Sequence, residues 1–360
     1  MERPRSRPDD GSAAGSPIAP SGPLVAQNDL GGDAVPLSHE REPGDDLPGR
    51  PGDFTEGVLA YAGPWVHEEL QEDHTHSFVE IAVVTGGTAV QRSLAGRQQL
   101  STGDVVFLRP GVWHGYDTQH LELYNCCFSA ELLHRELAWT REDPLLGYLL
   151  WTGPLSMGRR GMLITTLDAP TLQDCLVHLD ALDRLRVRPL GLHRSDIISH
   201  LTLVLGHLAR AVAANRDRLV EPTGPTHPAV VEAMRLLDSQ LAHSWTLTEL
   251  ADQLHLSPGY LLRLFKSSTG MPPMAYLARR RVETAAGLLL HTDQPVTQIG
   301  RSVGWPDQNY FARRFKANFG LSATTYRSRF ADSARQLQPW PAAGRPGLLR
   351  RTARSRGRPR

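Results

Sequence analysis

Residues 246–266 read TLTELADQLHLSPGYLLRLFK, and residues 296–316 read VTQIGRSVGWPDQNYFARRFK. The second stretch repeats the plan of the first, and this duplication decides the fold. A shift of 50 superimposes Tyr260 on Tyr310, Arg263 on Arg313, Phe265 on Phe315, Lys266 on Lys316 and Gly270 on Gly320. A shift of 49 pairs Thr248 with Thr297, Leu250 with Ile299, Ala251 with Gly300 and Leu254 with Val303. Each copy reads as a short helix, a tight turn and a second helix. Thr248 and Thr297 are expected to cap the first helices, Ser257 and Asp307 the second. Small residues at 251 and 300 let the two helices cross closely. Leu250, Leu254, Leu256, Leu261, Leu264 and Phe265 supply one core; Ile299, Val303, Trp305, Phe311 and Phe315 supply the other.

The second helices then expose Gly259, Tyr260, Leu262, Arg263 and Lys266 in one copy, and Gln308, Asn309, Ala312, Arg313 and Lys316 in the other. Arg, Gln and Asn suit base edges, and Lys suits phosphates, so the expected partner is double-stranded DNA. The segment from Pro272 to His291 should be a connecting helix. Twenty residues at about 1.5 Å each give roughly 30 Å, close to the ~34 Å between successive major-groove faces. Arg279, Arg280 and Arg281 beside the spacer are expected to favour phosphates.

Working outward, the charge divides sharply. Residues 227–360 hold 20 basic and 8 acidic residues, whereas residues 1–226 hold 19 and 30, so a net of +1 conceals a basic module and an acidic one. At about 150 residues per domain, 360 residues accommodate two domains and additional segments. Residues 1–52, rich in Pro, Gly, Asp and Ser, and residues 331–360, Arg-rich toward the end, are expected to be disordered tails. Glu221-Pro222-Thr223-Gly224-Pro225 reads as a linker. No run of 18 apolar residues occurs, the start Met1-Glu2-Arg3-Pro4 carries no apolar leader, and three cysteines make no disulfide framework. A soluble, cytoplasmic protein with no membrane partner is expected.

Residues 53–135 show short β runs at roughly ten-residue spacing, the pattern of an antiparallel sandwich or barrel. Residues 136–220 are expected to be helical, with apolar residues at threes and fours from Leu172 to Leu185 and from Ile197 to Leu208. Pro189 and Gly191 would separate an antiparallel helix pair, a candidate homodimer surface. The whole is expected to be a multidomain α+β chain: an antiparallel β-barrel, a helical linker, and an all-α double helix-turn-helix at 227–330.

Leu256-Ser257-Pro258-Gly259-Tyr260-Leu261, Arg263-Leu264-Phe265-Lys266, and Asp307-Gln308-Asn309-Tyr310-Phe311 through Phe315-Lys316, Phe319-Gly320 and Tyr326-Arg327 resemble the DNA-binding domain of the AraC/XylS bacterial transcription regulators. Gly300, Trp305 and His255 depart from the usual Ala, Phe and Gly of that family. The resemblance implies a regulator that acts on promoter DNA, with activation and RNA polymerase as partner.

In the β region, His74, His76 and Glu80 lie at even spacing on what reads as one strand face, and His114 comes from a later strand. Three histidines and a carboxylate suit several divalent metals. The arrangement resembles the cupin barrel, although Glu68 and Arg109 stand where its motifs usually carry Gly and Pro. Leu121-Glu122-Leu123-Tyr124-Asn125 with Phe128 looks like a strand of the rhamnose-regulator branch of the same family. The first reading is an effector pocket, for a sugar or other small molecule, that requires no cofactor. Trp65, Trp113, Tyr116 and Tyr124 are candidate aromatic walls. A metal held by His74, His76, Glu80 and His114 is the second reading, and a metal-dependent cupin enzyme or metallo-sensor is the rival class. Histidines that merely complete a core are the third.

Overall fold

The computed structural model describes residues 60–156, 158–185, 190–215 and 226–336. The expected tail at 1–52, the linker at 221–225 and Pro189 lie outside them.

The first part is an antiparallel sheet of β1 (Ala60–His67), β2 (Gln71–His74), β3 (Val79–Ser93), β4 (Gly96–Ser101), β5 (Asp104–Leu108), β6 (His114–Phe128) and β7 (Met162–Thr166). Its order is β1-β6-β3-β5-β7, with β2 added to β6 and β4 to β3. The two 15-residue strands organise it. The first part of β3 pairs with β5 and its last part with β4, while β6 pairs with β2 at its start and β1 at its end. Gly86-Gly87 is no turn: it is a bulge within β3, where the register against β6 shifts. Alternation then assigns each face. Ile81, Val83, Tyr124, Cys126 and Phe128 face the helices, whereas Ala82, Val84, Val106, Leu108, Tyr116 and Leu123 form a separate inner cluster.

Between sheet and C-terminal region run α1 (Ala130–Arg135), a 3₁₀ turn (Ala138–Arg141), α2 (Pro144–Gly147) and a π turn (Tyr148–Thr152). The stretch 136–220 is therefore not helical throughout, since it also supplies β7, paired with β5. Met162–Thr166 is half β-branched and follows the turn at Gly161, so it closes the sheet edge before the helices start. The expected helix pair is α3 (Ala169–Leu185) and α4 (Leu190–Ala214), with Gly191 inside the first turn of α4. By length and composition α4 could cross a membrane, yet Leu201, Val204, Leu205 and Leu208 are buried within the protein against α3 and the sheet.

The C-terminal region comprises α5 (Pro228–Ser239), α6 (Leu247–Gln253), α7 (Pro258–Thr269), α8 (Pro273–His291), α9 (Val296–Ser302), α10 (Gln308–Phe319) and α11 (Ala323–Gln336). Two helix-turn-helix units, α6–α7 and α9–α10, flank α8. The first half of α8 buries Tyr276 and Leu277 in the core shared by the first unit and the sensor. Its second half buries Val282, Ala285, Ala286, Leu289 and Leu290 with the second unit and α11. The expected tail at 331–360 opens as helix, because burial of Phe330, Ala331 and Ala334 carries α11 on to Gln336; residues 337–360 lie outside the described residues.

Ser257 and Asp307 do cap the second helices. The first helices differ from expectation: Thr246, not Thr248, accepts from the Glu249 amide, and α9 starts behind Pro295 without a side-chain cap. At the inter-helix turn His255 has φ +55° where the second copy has Gly304 at +88°. The imidazole-bearing residue thus holds a left-handed turn at a cost of about 1 kcal/mol that glycine avoids. Gly300 is also explained, because a Cβ there would lie 3.2 Å from the Phe311 ring.

Candidate DNA-reading face and sensor site

Nine of the ten nominated residues on α7 and α10 are exposed: Gly259, Tyr260, Leu262, Arg263, Lys266, Asn309, Ala312, Arg313 and Lys316. Gln308 is half-buried and donates to the Thr297 carbonyl at 2.9 Å, bracing α10 on α9. The 19 residues of α8 rise about 28 Å between the units. The spacer arginines behave otherwise than expected. Arg281 is buried and donates to the carbonyls of Leu241 (2.7 Å), His243 (2.6 Å) and Gly304 (3.1 Å), with Trp305 beneath its guanidinium. It ties the second unit to the end of α5. Arg280 is buried in ion pairs, so of the three only Arg279 is left half-buried for other contacts.

In the β-domain, His74, His76, Glu80 and His114 do converge, but not by strand alternation. His74 ends β2, His76 lies in the break before β3, and Glu80 opens β3. Ligand atoms of His76, Glu80 and His114 lie within 4.8 Å of one another, and the His74 ring is 4.3 Å from that of His114. Each imidazole turns Nδ1 to a backbone carbonyl: His74 to Glu72, His76 to Phe78, His114 to Val112. Nδ1 is then the donor in each neutral ring, which leaves the His114 Nε2 as a free acceptor, the tautomer that metal sites impose. The His76 Nε2 pairs with the Glu80 carboxylate at 2.6 Å, and the His114 Nε2 has no hydrogen-bond partner. Burial pushes His114 well below the ordinary imidazole range and His74 below it. Burial alone would raise the Glu80 carboxyl, but the histidines, His76 foremost, bring it down to about 2. The donor set fits a divalent metal, and it equally offers acceptors to a polar ligand.

Tyr116 belongs to this site: its ring is 5.8 Å from His114 and its buried hydroxyl has no hydrogen-bond partner. Gln91, opposite Tyr116 in register and buried, leaves both amide atoms unpaired. Sequence reasoning missed Gln91, although a lone polar residue at an inward position of β3 was its signal. Trp113 and Tyr124 are not pocket walls. The Tyr124 hydroxyl donates to Asp180 on α3 at 2.8 Å, on the opposite face of the sheet. The Trp113 indole donates to the Phe319 carbonyl of α10. A register irregularity between β3 and β6 separates Tyr124 from the His114 face, and Trp113 lies just before β6.

Trp113 is part of a contact that joins this site to the second helix-turn-helix. Tyr326 of α11 donates to the Gly111 carbonyl at 2.8 Å and lies 3.3 Å from the hydroxyl of Thr75, which sits between His74 and His76. Gly111, at φ +83°, allows the approach: a Cβ would come within 2.9 Å of Ala286 and Phe319. Arg329 adds an ion pair to Asp73.

A second junction is ionic and buried. Arg109, after β5, holds Glu283 of α8 bidentately at 2.7 and 2.9 Å. Glu283 also pairs with Arg280, which reaches Asp238 of α5 at 2.8 Å. Asp238 further accepts from Arg141 at 2.8 Å and from the Tyr276 hydroxyl at 3.0 Å. Three guanidiniums face two carboxylates, and the surplus charge rests on the Trp151 ring, 3.6 Å from Arg141. His134 lies among them, accepting from Arg280. Burial, then the Arg280 charge, push His134 down to about 2. With the folded value depressed, its contribution is present above about 6.5 and is lost as pH falls through that range. One proton is worth about 1.4 kcal/mol per pH unit. Lowering pH from 6.5 to 5 is therefore expected to cost about 2 kcal/mol through His134, read as a thermal-unfolding slope that His134→Leu reduces by about one proton, the other buried histidines keeping the rest. An equal slope in both proteins would contradict the assignment.

Comparison with known proteins agrees with this architecture. Residues 60–179 match the family model for an AraC-like ligand binding domain, and residues 250–329 match that for a helix-turn-helix domain. Together they span more than half of the chain. The HTH-type transcriptional activator RhaS of Escherichia fergusonii is 29% identical over 251 residues, covering 69% of this chain and 85% of that protein. The HTH-type transcriptional activator RhaR of Yersinia pestis is 26% identical over 268 residues, covering 74% and 88%. Among solved structures, the C-terminal domain of AraT, a response regulator from Geobacillus stearothermophilus, is 34% identical across 29% of this chain and 87% of that one, with a TM-score of 0.29. An antiparallel ligand-binding β-domain followed by paired helix-turn-helix units, matched along its length by transcriptional activators, makes this chain a member of the AraC family of effector-responsive, DNA-binding transcription regulators.

Proposed function

We propose that α7 and α10 read promoter DNA through the ten nominated residues, and that the occupant of the His74–His76–Glu80–His114 site sets how the sensor holds the two reading helices. The observation that carries this is the Thr75–Tyr326–Gly111 contact, which joins the site's own loop to α11. An occupant that moves this loop binds the gripped and released arrangements unequally, and only such a difference can shift their balance. The reading is one of activation, with RNA polymerase as partner in the cytoplasm and a homodimer in which the α3–α4 pair takes part. Sedimentation showing only monomer at micromolar concentration would remove the dimer.

The effector is a small polar molecule, a sugar being the first candidate given the resemblance of Leu121–Phe128 to the rhamnose-regulator branch. The unpaired Tyr116 hydroxyl, Gln91 amide and imidazole nitrogens supply the hydrogen-bonding groups such a molecule needs. Replacing Arg263 or Arg313 by Ala is expected to weaken binding to the selected site by about 1–3 kcal/mol, with little loss on random DNA. Lys266→Ala should weaken both alike. Equal losses for all three in a fluorescence-anisotropy titration would reassign the arginines to phosphate.

The convergence of donor atoms within 4.8 Å favours a second reading, in which His76, Glu80 and His114, with His74 beside them, hold a divalent metal. The metal would supply Lewis-acid binding of an effector oxygen. About one metal per chain by elemental mass spectrometry, lost in His114→Ala, supports it; none in the untreated protein leaves the metal-free pocket.

A further inference from the structure

Outside the sensor site, four histidines gather along the helix pair α3–α4. His193, His200 and His207 recur at sevens along α4, two turns apart and on one side of the helix. His178 of α3 reaches between the last two: its ring lies 5.4 Å from that of His200 and 5.9 Å from that of His207. The Nδ1 atoms of His178 and His200 face each other at 3.2 Å. The buried side of α4 is apolar, with Leu201, Val204, Leu205 and Leu208 packed inward, so these histidines hold no core polar group in place. Asp174 and Asp196 each stand one turn before a histidine of the group, on α3 and α4.

We propose that His178 and His200, with His207 beside them as a further donor, form a second site that takes a transition-metal ion of the zinc class and staples α3 to α4. Two imidazoles on one tetrahedral ion, with metal–nitrogen bonds of about 2.0–2.1 Å, hold their nitrogens about 3.3 Å apart. The observed separation already has that value, so binding requires little rearrangement of the helices. Two neutral imidazoles facing each other through Nδ1 share at most one hydrogen there, which leaves at least one lone pair toward the gap. The three histidines are half-buried, so an ion has access and water can complete its shell.

The test is a cobalt(II) titration of the tag-free full-length chain, read by visible absorption and reversed with zinc. It is run in His114→Ala, where the sensor site has lost a ligand. The expected result is about one bound equivalent, lost when His178→Ala or His200→Ala is added. Zinc should raise the melting temperature of His114→Ala but not of the added variants, whose metal-free melting temperatures should match it and so exclude misfolding. No uptake in His114→Ala, or the same uptake after His178→Ala, would overturn the site and leave a plain imidazole–imidazole hydrogen bond.

Discussion

Glu283→Ala is expected to destabilise the folded chain by about 3–5 kcal/mol, the largest single effect foreseen for this protein. The carboxylate is buried and is clamped by Arg109 of the sensor and Arg280 of α8. Its removal leaves two guanidiniums in a dry junction, with only Asp238 to compensate Arg280. The cost comes from the abandoned charges rather than from the net value of the pair. Arg109→Met combined with Glu283→Leu should therefore recover a large part of the loss. Urea unfolding of the two singles and the double measures this directly. A functional effect accompanies it: with the sensor released, affinity for DNA should no longer respond to changes at His114. If Glu283→Ala unfolds at the wild-type urea concentration, the junction does not hold the two parts together.

The second large effect is at Arg281. Its guanidinium donates to three carbonyls, two at the end of α5 and one in the turn of the second unit. Alanine there leaves three part-buried acceptors unpaired, at about 1–3 kcal/mol each before relaxation and water recover some of it. A net loss of roughly 3 kcal/mol is expected, along with a change in the geometry between α7 and α10. Binding to a two-part DNA site should fall more than binding to either half. Arg281→Lys should rescue little, since one ammonium cannot reproduce the fork. Loss of DNA affinity at unchanged stability would instead make Arg281 a phosphate contact.

That outcome bears on what the sequence could disclose. The repeat at 49–50 residues placed both reading helices, because turn residues, caps and apolar spacing are local properties. Arg279-Arg280-Arg281 misled for the opposite reason. The partners Asp238, Leu241 and His243 of the last two lie about forty residues away, at the end of α5 and in the turn after it, and nothing in a charge run reveals them. The four polar residues of the sensor site were legible through their types and spacing, although a chain break rather than a straight strand brings them together. Trp113 and Tyr124 were misplaced because residue type alone does not reveal the face: a bulge lies between His114 and Tyr124, and Trp113 precedes the strand. β7 escaped notice as five residues ahead of two long helices. The ionic junction was illegible altogether, being assembled from α1, the 3₁₀ turn, the residue after β5, α5 and α8.

The claim on which the rest depends is that one chain carries two DNA-reading helices set about one helical turn apart. Selection of random duplex DNA by the full-length protein tests it most directly. The expected product is a site with two fixed segments whose centres lie about 10 base pairs apart, where Arg263→Ala relaxes one segment and Arg313→Ala the other. A single fixed segment, or none, or a site unchanged by both substitutions, would contradict it.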